Sequence, residues 1–112
     1  DWIGAVPRSD VMRHYRECDV LLFPTWSDGF GMAQIEARGW RLPIIASRNC
    51  GTVVQDACNG LVLAKPDASV IAKAIRSAAA DPELLSRFAT APVSSQRDPL
   101  KDLATHLTRL EP

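Results

Sequence analysis

Three short, unbroken apolar runs constrain this chain more than any other feature: "VLLFPT" (20–25), "LPIIAS" (42–47) and "LVLA" (61–64). A strand with one wet face alternates apolar and polar residues. These runs do not alternate, so each reads as a strand buried on both faces, as in a parallel sheet. Pro43 falls at the start of its run, where a missing N–H is tolerated. The segments between the runs carry helical periodicity. "SDVMRHYREC" (9–18) places Val11, Met12, Tyr15 and Cys18 on one face, with Ser9 as N-cap. A second helix is expected from about Phe30 to Trp40. "RNCGT" reads as a loop and "VVQDACNG" as a short helix or turn closed by Asn59-Gly60. "DASVIAKAIRSAAAD" has Val70, Ile71, Ala74, Ile75, Ala78 and Ala79 on one stripe, and "PELLSRFA" starts another helix with Pro82 in its first turn. A last helix is expected within 98–112, with Leu100, Leu103, Leu107 and Leu110 on one side. "WIGAV" (2–6) reads as an additional strand ending at Pro7. Strands alternating with helices predict an α/β fold, a Rossmann-like parallel sheet with flanking helices.

The 112 residues amount to a single domain or part of one, and 46% hydrophobic content suffices for a core. Thirteen basic and thirteen acidic side chains cancel, which argues against nucleic acid as a partner. Cys18, Cys50 and Cys58 form no Cys-x-x-Cys pair and, with two poorly spaced histidines, no metal set. They read as buried or half-buried reduced thiols in a cytoplasmic setting, and peripheral membrane association of the parent protein is left open. No apolar run approaches the ~20 residues that span a bilayer, and no signal peptide is visible. The chain begins at Asp1 rather than Met and reads as a piece of a longer protein.

In open parallel sheets, ligands bind beyond the carboxyl ends of the strands. "SDGFGMAQIEA" (27–37) follows "VLLFPT" directly and lies at that edge. A helix starting near Gly31 offers the unpaired N–H groups of its first turn and the positive end of its dipole, which suit a phosphate. Gly29 and Gly31 carry no side chain to hold a ligand off the backbone. Glu36 shares a face with Met32 and Ala33, roughly 7 Å along the axis from the helix mouth, and a carboxylate accepts from two neighbouring hydroxyls. The order acid, phosphate site, acid matches the sugar, diphosphate and ribose of a nucleotide-sugar. A plainer reading stands beside it: Asp28 caps the helix and Glu36 is a solvated helix acid.

"YRECDVLLFPTWSDGFGMAQIEARGWRLPIIAS" resembles the retaining glycosyltransferases of family four, group 1 glycosyl transferases built from two Rossmann-like domains (the GT-B fold). Tyr15, Asp19, Pro24, Gly29, Phe30, Gly31 and Glu36 match the motif of that family's C-terminal domain, and "NGLVL" (59–63) matches a later segment. The resemblance spans about residues 3 to 90. It implies that the whole of 1–112 is a partial C-terminal domain binding a nucleotide-sugar donor. Asp28 is then the catalytic-site acid facing the transferred sugar. Gly29, Phe30, Gly31, Met32 and Ala33 hold sugar hydroxyls and diphosphate, and Glu36 binds the ribose. The resemblance further implies transfer with retention of configuration, in which the leaving phosphate takes the acceptor's proton, with no metal and no cofactor. The acceptor, a glycan, lipid or small molecule, would be bound by an N-terminal domain absent from this sequence. The upstream Arg and Lys that hold the diphosphate in the family are absent too, so the fragment alone is expected to be inactive. Apolar surface that would meet the missing portion is available for self-association.

Departures from the pattern bear on activity. Asp28 replaces the usual glutamate, Arg41 stands where glycine serves a tight turn, and Thr52 stands where a glutamate aligns. The turn at Arg41 is therefore expected to be rebuilt. Arg48 is the best-placed cation for the site edge, while Arg8, Arg13, Arg38 and Arg41 read as surface charges. Trp26 and Trp40 are pocket-lining or packing aromatics. The alternative function is a catalytically degenerate module kept for nucleotide-sugar binding or assembly. A third, weaker reading is a non-transferase sugar-nucleotide enzyme of the same fold, against which the Gly-Phe-Gly stretch speaks.

Overall fold

The computed structural model describes residues 1–92. Its elements are α1 (Arg8–Glu17), β1 (Leu21–Phe23), α2 (Met32–Gly39), β2 (Ile44–Ser47), β3 (Gly60–Leu63), α3 (Ala68–Ala80) and α4 (Pro82–Thr90). The three strands form one parallel sheet in the order β1-β2-β3, with Leu21 opposite Ile44 and Ile44 opposite Gly60. The helix expected within 98–112 lies outside the described residues.

The central strand β2 is buried along its whole length, so its side chains divide between two cores. Ile44 and Ala46 join Ala37, Leu42 and Val54, with Tyr15, Leu21 and Phe23 packed against them. Ile45 joins Leu63 and Ala78, with Leu22, Val70, Ile71 and Leu85 against them. Alternate residues of each strand therefore face opposite layers, with α1 and α2 on one side and α3 and α4 on the other. This is why the apolar runs do not alternate. The close pairing of β2 and β3 depends on a missing side chain: a Cβ on Gly60 would collide with the Ile44 carbonyl oxygen. Asn59, buried beside it, accepts from the Gln55 amide at 2.8 Å and donates to the Val53 carbonyl at 3.3 Å. The expected Asn-Gly closure is thus a turn, with a single bridge from Asp56 to Gly60 rather than a helix.

Two local expectations fail. Residues 2–6 form no strand. Gly4 sits at φ +69°, outside the extended region, and Trp2 and Ile3 are exposed. Ser9 does not cap α1. Pro7 occupies the cap position with extended ψ and its carbonyl accepts from the Asp10 amide, so the helix begins one residue before Ser9. A third expectation is corrected at Arg41. The turn after α2 is not rebuilt: Arg41 itself adopts the left-handed conformation, φ +58°. Its amide bonds the Arg38 carbonyl at 2.9 Å and the Leu42 amide bonds that of Ala37 at 3.0 Å, the paired closure of a Schellman motif. Asp81 does cap α4, accepting from the Leu84 amide at 3.0 Å with Pro82 following it.

Candidate functional site

At the carboxyl end of β1 the chain runs through Pro24 and Thr25 into the stretch 26–31 before α2 begins. Gly31 is the N-cap residue of α2 and lies in the left-handed region at φ +80°, and no side chain caps the helix mouth. A Cβ at Gly31 would come within 2.8 Å of the Phe23 ring and of Gln34 Nε2. Glycine is required there by both backbone and space. Gly29 differs, since a Cβ there would meet nothing within 4 Å. Met32 is exposed on the first turn and Ala33 is half-buried. The helix starts at Met32, two residues later than the sequence suggests, because Phe30 is held outside it.

Phe30 is held from two sides. Its amide donates to Asp28 Oδ1 at 3.1 Å, and its carbonyl accepts from the Gly51 amide at 2.9 Å and from Gln34 Nε2 at 3.2 Å. Asp28 therefore closes a local turn and does not cap α2, so its structural role is in the turn rather than at the helix mouth. The Asp28 amide in turn donates to the Asn49 carbonyl at 3.0 Å. The loop 48–52 is thus fastened alongside the turn 28–30. Asn49 Nδ2 and the Ser47 hydroxyl both donate to the Thr25 carbonyl, adding a further tie at the strand ends.

Sequence reasoning missed the residue that organises this junction. Gln34 is 1% exposed. Its Nε2 group reaches the Phe30 and Gly51 carbonyls, both at 3.2 Å, and the Cys50 sulfur at 3.3 Å. Its Oε1 is buried without a hydrogen-bond partner. The available signal was an amide at a helix position between the buried Gly31 and Ala37, where an apolar residue would otherwise serve. The Cys50 thiol also donates to the Ser47 carbonyl at 3.2 Å. Burial pushes that thiol up, the Gln34 hydrogen bond opposes the shift, and the nearby Asp28 charge adds to it. Cys18 and Cys58 are free and exposed, contrary to the expectation that all three thiols are at least half-buried.

Glu36 looks the other way. Its Oε2 accepts from the Tyr15 hydroxyl of α1 at 3.0 Å. The tyrosine is pushed up to about 12, by burial first and then by the hydrogen bond and negative charge of Glu36. Glu36 opens onto a groove of about 460 Å³ between α1 and α2 that Val6, Arg8, Met12 and Trp40 also line. Asp28 therefore lies against loop 48–52, and Glu36, further along α2, lies against α1. Arg48 is exposed beside a small cavity of about 110 Å³ that Gln34, Ser47, Cys50 and Thr52 also line. Arg38 is no free surface charge: it donates to the Phe88 and Ala91 carbonyls, each at 3.1 Å, and pins the end of α4. Trp26 is 70% exposed at the site edge. A larger groove of about 850 Å³ lies at the amino ends of β1 and β2; Tyr15 and Trp40 line it, but neither Asp28 to Ala33 nor Glu36 does. Among the described residues no three His, Cys, Asp or Glu side chains gather where a metal could be held, and no helix is long and apolar enough to cross a membrane.

The sequence pattern of the family described as "Glycosyl transferases group 1" matches residues 1–92. The chain belongs to this family. A curated relative, D-inositol 3-phosphate glycosyltransferase of Geodermatophilus obscurus, is 36% identical over 78 residues, covering 68% of this chain and 17% of the relative. The chain thus spans about a fifth of the length of the curated relatives it matches. Among solved structures, the C-terminal domain of the group 1 protein LpcC from Francisella tularensis superposes with a TM-score of 0.73 at 20% identity, covering 97% of this chain and 53% of that one. Anabaena HepE in complex with UDP superposes with a TM-score of 0.74 at 22% identity, covering 92% and 31%. The fold is that of part of a GT-B C-terminal domain. Within a group 1 glycosyltransferase, the described elements carry one loop-and-helix edge.

Proposed function

We propose that this chain forms the donor side of a glycosyltransferase site, holding a nucleoside-diphosphate sugar for transfer to an acceptor with retention of configuration. The observation that carries the reading is the uncapped mouth of α2, which opens at the left-handed Gly31 directly after the turn that Asp28 closes. Backbone N–H groups and the helix dipole at such a mouth stabilise an anionic diphosphate without a metal ion. Asp28 addresses the transferred sugar, Gly29 to Ala33 line the diphosphate and sugar hydroxyls, and Glu36 takes the ribose. The leaving phosphate accepts the acceptor's proton, so no protein general base is assigned. The acceptor, a glycan, lipid or small molecule, binds on a part of the protein outside these residues, and the 112-residue chain alone transfers no sugar. The relatives support sugar transfer, and the UDP complex of HepE supports a nucleotide ligand for the fold.

Asp28→Asn tests the reading. Asparagine retains an oxygen that accepts from the Phe30 amide, so the turn is kept and only the charge is lost. In the active protein, turnover is expected to fall about ten- to a thousand-fold, ~1.4 to 4 kcal/mol of transition-state stabilisation, while affinity for the bare nucleoside diphosphate changes little. Asp28→Ala, which loses the turn bond as well, also lowers stability. An Asn variant with unchanged turnover sinks the sugar role of Asp28. A second reading, a binding module without catalysis, is favoured by Thr52, which leaves the loop beside the site without the carboxylate expected there. Nucleotide binding with no transfer by the intact protein decides for it.

A further inference from the structure

The Tyr15–Glu36 bond joins two elements 21 residues apart, α1 and α2, and it ends on the acid assigned above to ribose. Glu36 is exposed, and an exposed glutamate samples many rotamers. The Tyr15 ring is held against the core formed by Ala37, Leu42 and Ile44, so its hydroxyl is a fixed point. A carboxylate offers about four lone-pair positions. The tyrosine hydroxyl occupies one of them, on Oε2, and the others remain for a ligand in the groove between the helices. We infer that Tyr15 is a positioning residue, whose hydroxyl sets the Glu36 carboxylate to accept from the two neighbouring hydroxyls of a nucleotide's ribose. The inference rests on the donor-nucleotide reading of Glu36. Burial and then the Glu36 hydrogen bond and charge all favour the protonated tyrosine, the form that donates to the acid. Ordering the acid before binding removes part of the entropy lost when the ribose is captured.

The test compares UDP with its 2′,3′-dideoxy counterpart, using calorimetry on the protein and on Tyr15→Phe and Glu36→Ala. Phenylalanine keeps the ring in the core and removes only the hydroxyl, and a thermal melt checks that the fold is intact. Tyr15→Phe is expected to weaken UDP about three- to tenfold while leaving the dideoxy compound unchanged. Merely structural damage would weaken both alike, and that result overturns the inference, as does a Tyr15→Phe protein that binds both compounds as the parent does. Glu36→Ala separates the two claims. If it abolishes the preference for UDP and Tyr15→Phe does not, the ribose reading stands and the role of Tyr15 falls. If Glu36→Ala leaves the preference intact, or the protein binds neither compound, the ribose reading itself is overturned and the inference falls with it.

Discussion

Replacing Gln34 by glutamate changes one nitrogen to oxygen at a position that is 1% exposed and faces two carbonyl oxygens at 3.2 Å. While the new carboxyl is protonated it retains one donor where the amide had two. The loss is then about one hydrogen bond, ~1 kcal/mol. Ionised, it would set a negative charge against the Phe30 and Gly51 carbonyls in a site closed to water. The folded state therefore raises the pKa of this glutamate above its unfolded value of about 4.3. The sign follows: below about pH 4 both states are protonated and the deficit stays small, and above it the unfolded state ionises first. Stability relative to the parent should then fall by ~1.4 kcal/mol per pH unit until the folded pKa is reached. By about pH 6 the deficit totals ~3 kcal/mol, a large part of the 5–15 kcal/mol typical of a domain. Gln34→Met is the control. It loses both donors, yet it also removes the buried, unpartnered Oε1, whose desolvation costs ~1–3 kcal/mol. The two effects offset, so the methionine variant should stay within ~1 kcal/mol of the parent at either pH. Urea unfolding of the three proteins near pH 4 and pH 6 reads these differences. A glutamate variant that tracks the parent at both pH values would refute the burial and the clamp together.

Arg41→Gly should stabilise the fold, because the left-handed conformation costs a non-glycine residue ~1–2 kcal/mol and the extra freedom of glycine in the unfolded chain returns only ~0.4–1 kcal/mol of this. A melting temperature at or below the parent's contradicts that. Gly51→Ala should loosen the loop, since its Cβ would lie 2.6 Å from the Phe30 carbonyl oxygen. Hydrogen exchange at the residue 51 amide should speed up, and unchanged protection counts against the docking of the two loops. Tyr15 is the only tyrosine, so ultraviolet titration of tyrosinate should give a midpoint near 12, and Glu36→Gln should bring it down. The stability linked to this group is fully present below about pH 10, the unfolded value, and is lost as pH rises through 12, by a modest amount because the hydroxyl is partly solvated.

The strands were legible because burial on both faces leaves its mark on every residue of a run, and "LPIIAS" has no polar residue until Ser47. The site turn was legible because Gly31 meets a backbone requirement that few residues can meet. The clamp was not. Gln34 reaches Gly51 across 17 positions, and neither helical period nor turn chemistry relates two loops that far apart. The Tyr15–Glu36 bond was hidden for the same reason, although both residues had been singled out separately. Residues 2–6 misled because composition alone favours a strand, while the positive φ at Gly4 is a property of the folded path. The rule that glycine follows a helix was applied to residue type at Arg41, whereas the fold specifies the conformation and lets arginine bear its cost.

The ties among Thr25, Asp28, Phe30, Gln34, Asn49 and Gly51 make two separate stretches of sequence into one heritable unit. Neither loop can lengthen, shorten or change its backbone path without removing partners from the other. A substitution at Thr52 is therefore expected to depend on what stands at Asp28, because the loop carrying one is bonded to the turn carrying the other. Transplanting either segment alone into a related protein would bring a backbone with half its bonds missing, while transplanting both with Gln34 would carry a working junction. Diversification of this edge of the sheet is expected to proceed by paired changes across the 25–34 and 47–52 segments.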